Sequence, residues 1–335
     1  MKGISTARLL TALSLFFVPA VGVAFTPLAP ALELAFVGLI PAAVGLLHGR
    51  RLALMAALVT AFVVAIVELA NPHPIASVIV MVLIGLAMGA SAIRGWQTIA
   101  SVIFTWPAVL LVGAPLELPG LGTFGAAPWV ALIAASVALV SGLWTVLVGY
   151  LLLLDLPPSP VQPLDHVTAT VYGLALAVLL GATTVAAELF ADSAWGHNSM
   201  AGWALLTILV VARPSYSETW HRVVNRSLGT IAGGLGALAL ALVIPVEWLL
   251  TVIGLVALAA AILLQLKRSS YAFYSVALTA SIVLLNSRGH SVLAVDIERV
   301  GFTVAGAVLT AAVVTILQVS LSRAHTRRHD NAPIG

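Results

Sequence analysis

Apolar runs of about 17–25 residues follow one another from end to end of this chain, each long enough to cross the hydrocarbon core of a bilayer as a helix. Only 8% of the residues are charged, against about 25% in soluble domains, and the mean hydropathy is +1.13. The short alternating segments that a transmembrane barrel needs do not recur. The sequence therefore predicts an all-α polytopic membrane protein.

Polar and Pro/Gly breaks place twelve helices at 8–26, 31–48, 52–70, 74–93, 97–114, 128–154, 168–190, 198–212, 222–244, 247–266, 271–287 and 297–321. The proline-rich gap "LDLPPSPVQPLDH" divides them into two sets of six. The expected plan is a first six-helix repeat (1–155), a linker (156–167), a second repeat (168–322) and a basic tail (323–335). "IGLAMGASAI…R" from Ile84 to Arg94 echoes "IGLVALAAAI…KR" from Ile253 to Arg268, each in the fourth helix of its set, as parallel repeats would have it. The start, "MKGISTARLLTALSLFFVPAVGVAF", reads either as a cleaved signal peptide or as a retained first helix, and six helices per half favour the second.

With the N-terminus in the cytoplasm and the loops alternating, all of the 15 Lys and Arg except Arg288 and Arg299 fall on the cytoplasmic side. That is the bias of the positive-inside rule, so both termini are expected in the cytoplasm and the basic pI near 9.6 needs no nucleic-acid partner. The chain has no cysteine, which excludes disulfides, thiolate metal sites and cysteine nucleophiles. No His-Glu-x-x-His, nucleophile elbow or phosphate-binding loop occurs, and the 8 histidines are dispersed, so no enzyme activity, metal or cofactor is expected.

Charges near the bilayer are the better lead, because burying them is costly unless they are paired or used. Glu68 in "AIVELANPHP" and Glu188 in "VAAELFADS" lie near the outer ends of the third and seventh helices. They read either as proton sites or as carboxylates that reach the interface.

The segment "RPSYSETWHRVVNRSLGTIAGG", 213–234, is polar and basic for half its length and then runs into glycines and aliphatics. Pro214 stops the eighth helix, and Ser215-x-x-Glu218 predicts a capping box at the start of the next. Glu218, Arg222 and Arg226 follow at i, i+4 and i+8 and share one face. Gly229, Gly233, Gly234 and Gly236, with Thr230 among them, then permit close helix packing. Two functions fit. The arginines are cytoplasmic anchors; or Arg213, Arg222 and Arg226, with Lys267 and Arg268, bind an organic anion, since a guanidinium fork donates two hydrogen bonds to one carboxylate.

At this segment the chain resembles the fusaric acid resistance (FUSC) family and its aromatic acid exporter relatives. Their membrane domain carries a polar stretch ending in Arg-x-x-Gly-Thr-x-x-Gly, matched here by Arg226, Gly229, Thr230 and Gly233. The first set of helices lacks the motif and reads "HGRRLALMAAL" at the corresponding place. The resemblance implies a multi-pass permease of the bacterial inner membrane, exporting aromatic carboxylic acids or similar anions with coupling to the proton gradient. Its expected partners are the organic anion, the lipid bilayer and further copies of the chain. The family is also similar to plant aluminium-activated malate transporters, which leaves a passive anion channel as the alternative. The larger exporters carry sizeable cytoplasmic domains after their helix blocks, where this sequence has only a linker and a short tail.

Overall fold

The computed structural model describes residues 6–113, 116, 128–153, 158–189, 199–244, 246–267, 270–286 and 300–316. Their helices are α1 (Thr6–Phe16), α2 (Val18–Ala24), α3 (Leu32–Leu46), α4 (Arg50–Ala70), α5 (Pro74–Ala92), α6 (Gln97–Val112), α7 (Pro128–Leu152), α8 (His166–Leu189), α9 (Ser199–Val211), α10 (Tyr216–Val243), α11 (Glu247–Leu266), α12 (Tyr271–Asn286) and α13 (Val300–Ile316). Helices α1 and α2 form one passage, interrupted at Phe17 where Pro19 enters the first turn of α2. A proline there removes an N–H and crowds the carbonyl one turn back, so the helix must restart. Counted this way, the described residues make twelve passages, as predicted, with boundaries shifted by a few residues.

Eight passages are long and apolar enough to span a bilayer, and four are shorter: Gln97–Val112, Ala201–Val211, Tyr271–Leu285 and Val300–Ile316. The short helices are gathered together. Trp106 of α6, Trp203 and Leu206 of α9, Leu278 and Ile282 of α12 and Phe302 of α13 belong to one apolar cluster. Trp106 and Trp203 meet edge to face, with ring centroids 6.5 Å apart. The 13 residues of α9 give roughly 20 Å of helix at 1.5 Å per residue, about 10 Å less than a bilayer core. A helix that stops short places irregular backbone at membrane depth, which is tolerated only inside protein or beside a cavity.

The two halves of the chain are interlocked. Helices α5 and α8 approach so closely that a Cβ on Gly85 would lie 2.3 Å from the Ala177 nitrogen, and one on Gly89 would lie 2.6 Å from the Cα of Gly173. The linker is strapped to the first half: the Leu164 N–H donates to the Ala92 carbonyl at 3.0 Å and the Ser159 N–H to that of Leu47. Gly95 sits at φ 74°, where a side chain would be strained, and an added Cβ would lie 2.8 Å from the Gln162 backbone. At the opposite end the Asn71 side-chain amide, just past α4, donates to the carbonyls of Leu110 (2.7 Å) and Gly113 (2.9 Å) after α6.

Arg50 and Arg94 share the linker's end of the bundle with the α9–α10 turn, their guanidinium groups lying over the rings of Tyr150 (4.6 Å) and Trp96 (5.5 Å). Arg268, Arg288, Arg299 and the tail 323–335 lie outside the described residues.

Candidate functional site

Helix α9 ends at Val211 because Pro214 has no N–H to donate and disfavours helical geometry in the residue before it. The turn that follows is closed by Thr219. The Arg213 N–H donates to Thr219 Oγ1 at 2.9 Å, and the Thr219 hydroxyl donates to the Arg213 carbonyl at 2.9 Å. Ser215 is the N-cap of α10, its extended backbone presenting a carbonyl to the Thr219 N–H at 2.9 Å. The predicted capping box is not formed. The Ser215 hydroxyl pairs instead with that of Ser217 at 3.0 Å, and no side chain caps the helix. Glu218 turns to two guanidinium groups, 3.5 Å from Arg213 Nε and 3.2 Å from Arg222 Nε. A carboxylate gains more from cationic donors than from a neutral backbone N–H, so the arginines win it.

Arg213 is buried, although it sits in a turn. Its Nη1 donates to the Ala212 carbonyl at 3.2 Å, and its Nη2 reaches Ser101 Oγ on α6 at 3.5 Å. The Tyr172 hydroxyl of α8 donates to the same Ala212 carbonyl at 3.2 Å. Tyr172 lies six residues into α8, so α9 ends about 9 Å in from the start of its neighbour. Burial, reinforced by the nearby charge of Arg222, lowers the pKa of Arg213 to about 10 from its ordinary 12.5. The guanidinium is still charged at neutral pH, and its five N–H groups exceed the partners that it has.

A cavity of about 420 Å³ opens beside this turn. Tyr172 and Leu176 of α8 form one wall, Thr310 and Val313 of α13 another, and Arg213 and Ser215 contribute the polar floor. Mostly apolar lining with a few convergent polar groups, in a volume of this order, is the usual character of a small-molecule site.

The remaining arginines of the predicted row face α12, not the cavity. Exposure falls along α10 from Glu218 (48%) through Arg222 (22%) to Arg226 (0%). The Arg222 guanidinium lies 5.2 Å from the centre of the Tyr271 ring, in cation–π range. One turn deeper the Ser275 hydroxyl points to the Arg226 carbonyl at 3.4 Å. The Nε, Nη1 and Nη2 atoms of Arg226 are buried without a hydrogen-bond partner, as is the hydroxyl of Thr230. Two glycines of α10 lie against α12. A Cβ on Gly229 would meet the Ser275 side chain at 2.5 Å, and one on Gly233 the Val276 carbonyl oxygen at 2.5 Å. Gly236 faces open space and takes no part in the packing.

The structure thus brings Arg213, Glu218, Arg222 and Ser215 together, with Arg226 following one turn deeper. Lys267 stands exposed past the end of α11, and no described contact joins it to these arginines. Glu68 is buried in the last turns of α4, while Glu188 is part-exposed near the end of α8. Sequence reasoning missed Tyr172, Ser101 and Thr219, whose positions relative to Arg213 depend on how α6, α8 and α10 pack. It also missed Tyr271, Ser275 and Thr279, a polar row spaced by four residues that was open to detection.

The family model for fusaric acid resistance protein-like sequences matches residues 183–319, which run from the end of α8 to the end of α13 and include the Arg226 motif. Neither the curated proteins nor the solved structures yield a match to the chain. The resemblance read from residues 213–234 therefore falls inside the matched stretch. Residues 183–319 are thus similar to fusaric acid resistance protein-like sequences, within a many-helix membrane protein.

Proposed function

We propose that this chain is a permease of the bacterial inner membrane that exports aromatic carboxylates or related organic anions, coupled to the proton gradient. The observation that carries this reading is the placement of Arg213 in the polar floor of an otherwise largely apolar cavity of about 420 Å³. Apolar walls suit a ring, and a buried cation suits its carboxylate, because their attraction is screened far less there than in water. The match to a fusaric acid resistance protein-like region supports transport rather than catalysis. Arg222, joined to Arg213 through Glu218, adds positive charge beside this turn that attracts anions. Glu68, buried within its span, is the better candidate for the proton site, with Glu188 the second.

Efflux of benzoate from proteoliposomes under an imposed pH gradient tests this function. Arg213→Gln is expected to reduce flux at least tenfold through loss of substrate binding. Glu68→Gln is expected to retain exchange but lose its dependence on the gradient. Flux in the unmodified protein that ignores the gradient would replace the exporter with a passive anion channel. Unaltered flux in Arg213→Gln would remove the cavity from the transport path.

A further inference from the structure

Arg226 has the largest wholly buried side chain in the described structure, and it is a charged one. None of its Nε, Nη1 and Nη2 atoms has a hydrogen-bond partner. A guanidinium cannot escape this by losing its proton at ordinary pH, and an uncompensated buried charge is strongly destabilising. The chain supplies no counter-charge at this depth among the described residues. Glu218, two turns nearer the surface, is already held by Arg213 and Arg222. Other unused polar atoms lie on the same two helices. The hydroxyl of Thr230, one turn further along α10, is buried and unpartnered, and so is that of Tyr271 on α12, whose ring stacks under Arg222. Arg222, Arg226 and Thr230 are spaced by four on α10, facing Tyr271, Ser275 and Thr279, also spaced by four, on α12. Buried donors without acceptors on Arg226, Thr230 and Tyr271, along one seam that carries a fixed positive charge, describe an anion site.

We propose that the seam between α10 and α12 binds a small monovalent anion of chloride size on the guanidinium of Arg226. Size follows from the packing. A Cβ on Gly229 or Gly233 would already collide with α12, so the seam has no room for an aromatic acid. The site is separate from the Arg213 cavity, whose lining does not include Arg226, and it stands whether or not that cavity carries substrate. The bound anion neutralises Arg226 and holds the two helices in register, while Arg222, part-exposed one turn above, marks the way in.

The test uses the purified full chain in detergent, with chloride exchanged for gluconate at constant ionic strength. Equilibrium dialysis with radioactive chloride is expected to show saturable, one-to-one binding, and the melting temperature is expected to rise with chloride as binding to the folded state requires. Arg226→Gln is expected to abolish both effects, while Arg213→Gln retains them. Should Arg226→Gln fail to fold, Thr230→Val and Tyr271→Phe each remove one donor at nearly constant volume and are expected to weaken chloride binding roughly tenfold. Absence of saturable chloride binding in the unmodified protein would overturn the proposal. So would chloride affinity unchanged in Arg226→Gln or in both hydroxyl variants, or competitive displacement of chloride by benzoate.

Discussion

Replacing Gly233 by alanine probes the seam on which the arginine row depends. The added methyl carbon would lie 2.5 Å from the Val276 carbonyl oxygen, 2.8 Å from Thr279 Cβ and 3.2 Å from the Ala280 nitrogen. Two of these three are backbone atoms, so no rotamer change relieves the contact and α10 and α12 must move apart. Overpacking of this kind costs about 1–3 kcal/mol. Against it stands the gain from replacing a helical glycine, about 1 kcal/mol in a helix interior. Gly236→Ala, one turn further along α10, collects the same gain with nothing within 4 Å of its new carbon. The difference between the two variants therefore isolates the close contact, at about 1–3 kcal/mol in favour of Gly236→Ala. Reversible denaturant unfolding in mixed micelles, followed by tryptophan fluorescence, measures both. Equal stabilities would refute the argument that these helices touch at Gly233. The same separation would loosen the enclosure of Arg226, so Gly233→Ala is also expected to weaken chloride binding.

Thr219→Val keeps the shape of the side chain and strips both hydrogen bonds from the Arg213 backbone. Leaving a buried N–H without a partner is expected to cost about 1–3 kcal/mol, and unchanged unfolding would show that the turn is held elsewhere. Glu218→Gln removes the carboxylate that contacts Arg213 and Arg222. Glu218 is half-exposed but Arg213 is buried, so stability should fall by about 1–3 kcal/mol, yet the apparent Km for benzoate should fall several-fold; a rise would contradict the recruiting role of the arginines. Asp165 accepts the Thr168 N–H at 2.9 Å at the start of α8, and its hydrogen bonds with Thr168 hold its pKa below the ordinary 3.8. A carboxylate with a depressed folded-state pKa contributes stability that is complete above 3.8 and disappears as the pH falls through the lowered value. Asp165→Ala should thus lower the unfolding midpoint more at pH 7 than in acid, and an equal effect at both would rule out the charged cap.

Much of the architecture was legible from residue order alone. A bilayer admits few spanning structures other than helices, because every backbone N–H and carbonyl must be satisfied within the segment, so long apolar runs translate directly into passages. For that reason the twelve passages could be read in advance. The capping box could not. Ser215-x-x-Glu218 satisfies the pattern, but Glu218 had Arg213 within reach across the turn as well as Arg222 along the helix, and a charged partner outcompetes a backbone amide.

What the sequence determined by itself was a class of fold, a polar segment and three arginines in it. Tertiary structure separated those arginines into different roles, since burial is decided by neighbouring helices and not by spacing along one. Arg213 became cavity floor because α9 stops short beside Tyr172 of α8. Arg222 stayed part-exposed against Tyr271, and Arg226, four residues further along, was sealed against α12 with every nitrogen unpaired. In a chain so uniformly apolar, helix periodicity gives each residue a face but says little about which helix will cover it. That choice follows from packing between segments far apart in sequence, such as Gly85 against Ala177 and Gly233 against Val276, and it made one arginine a wall and another a buried charge.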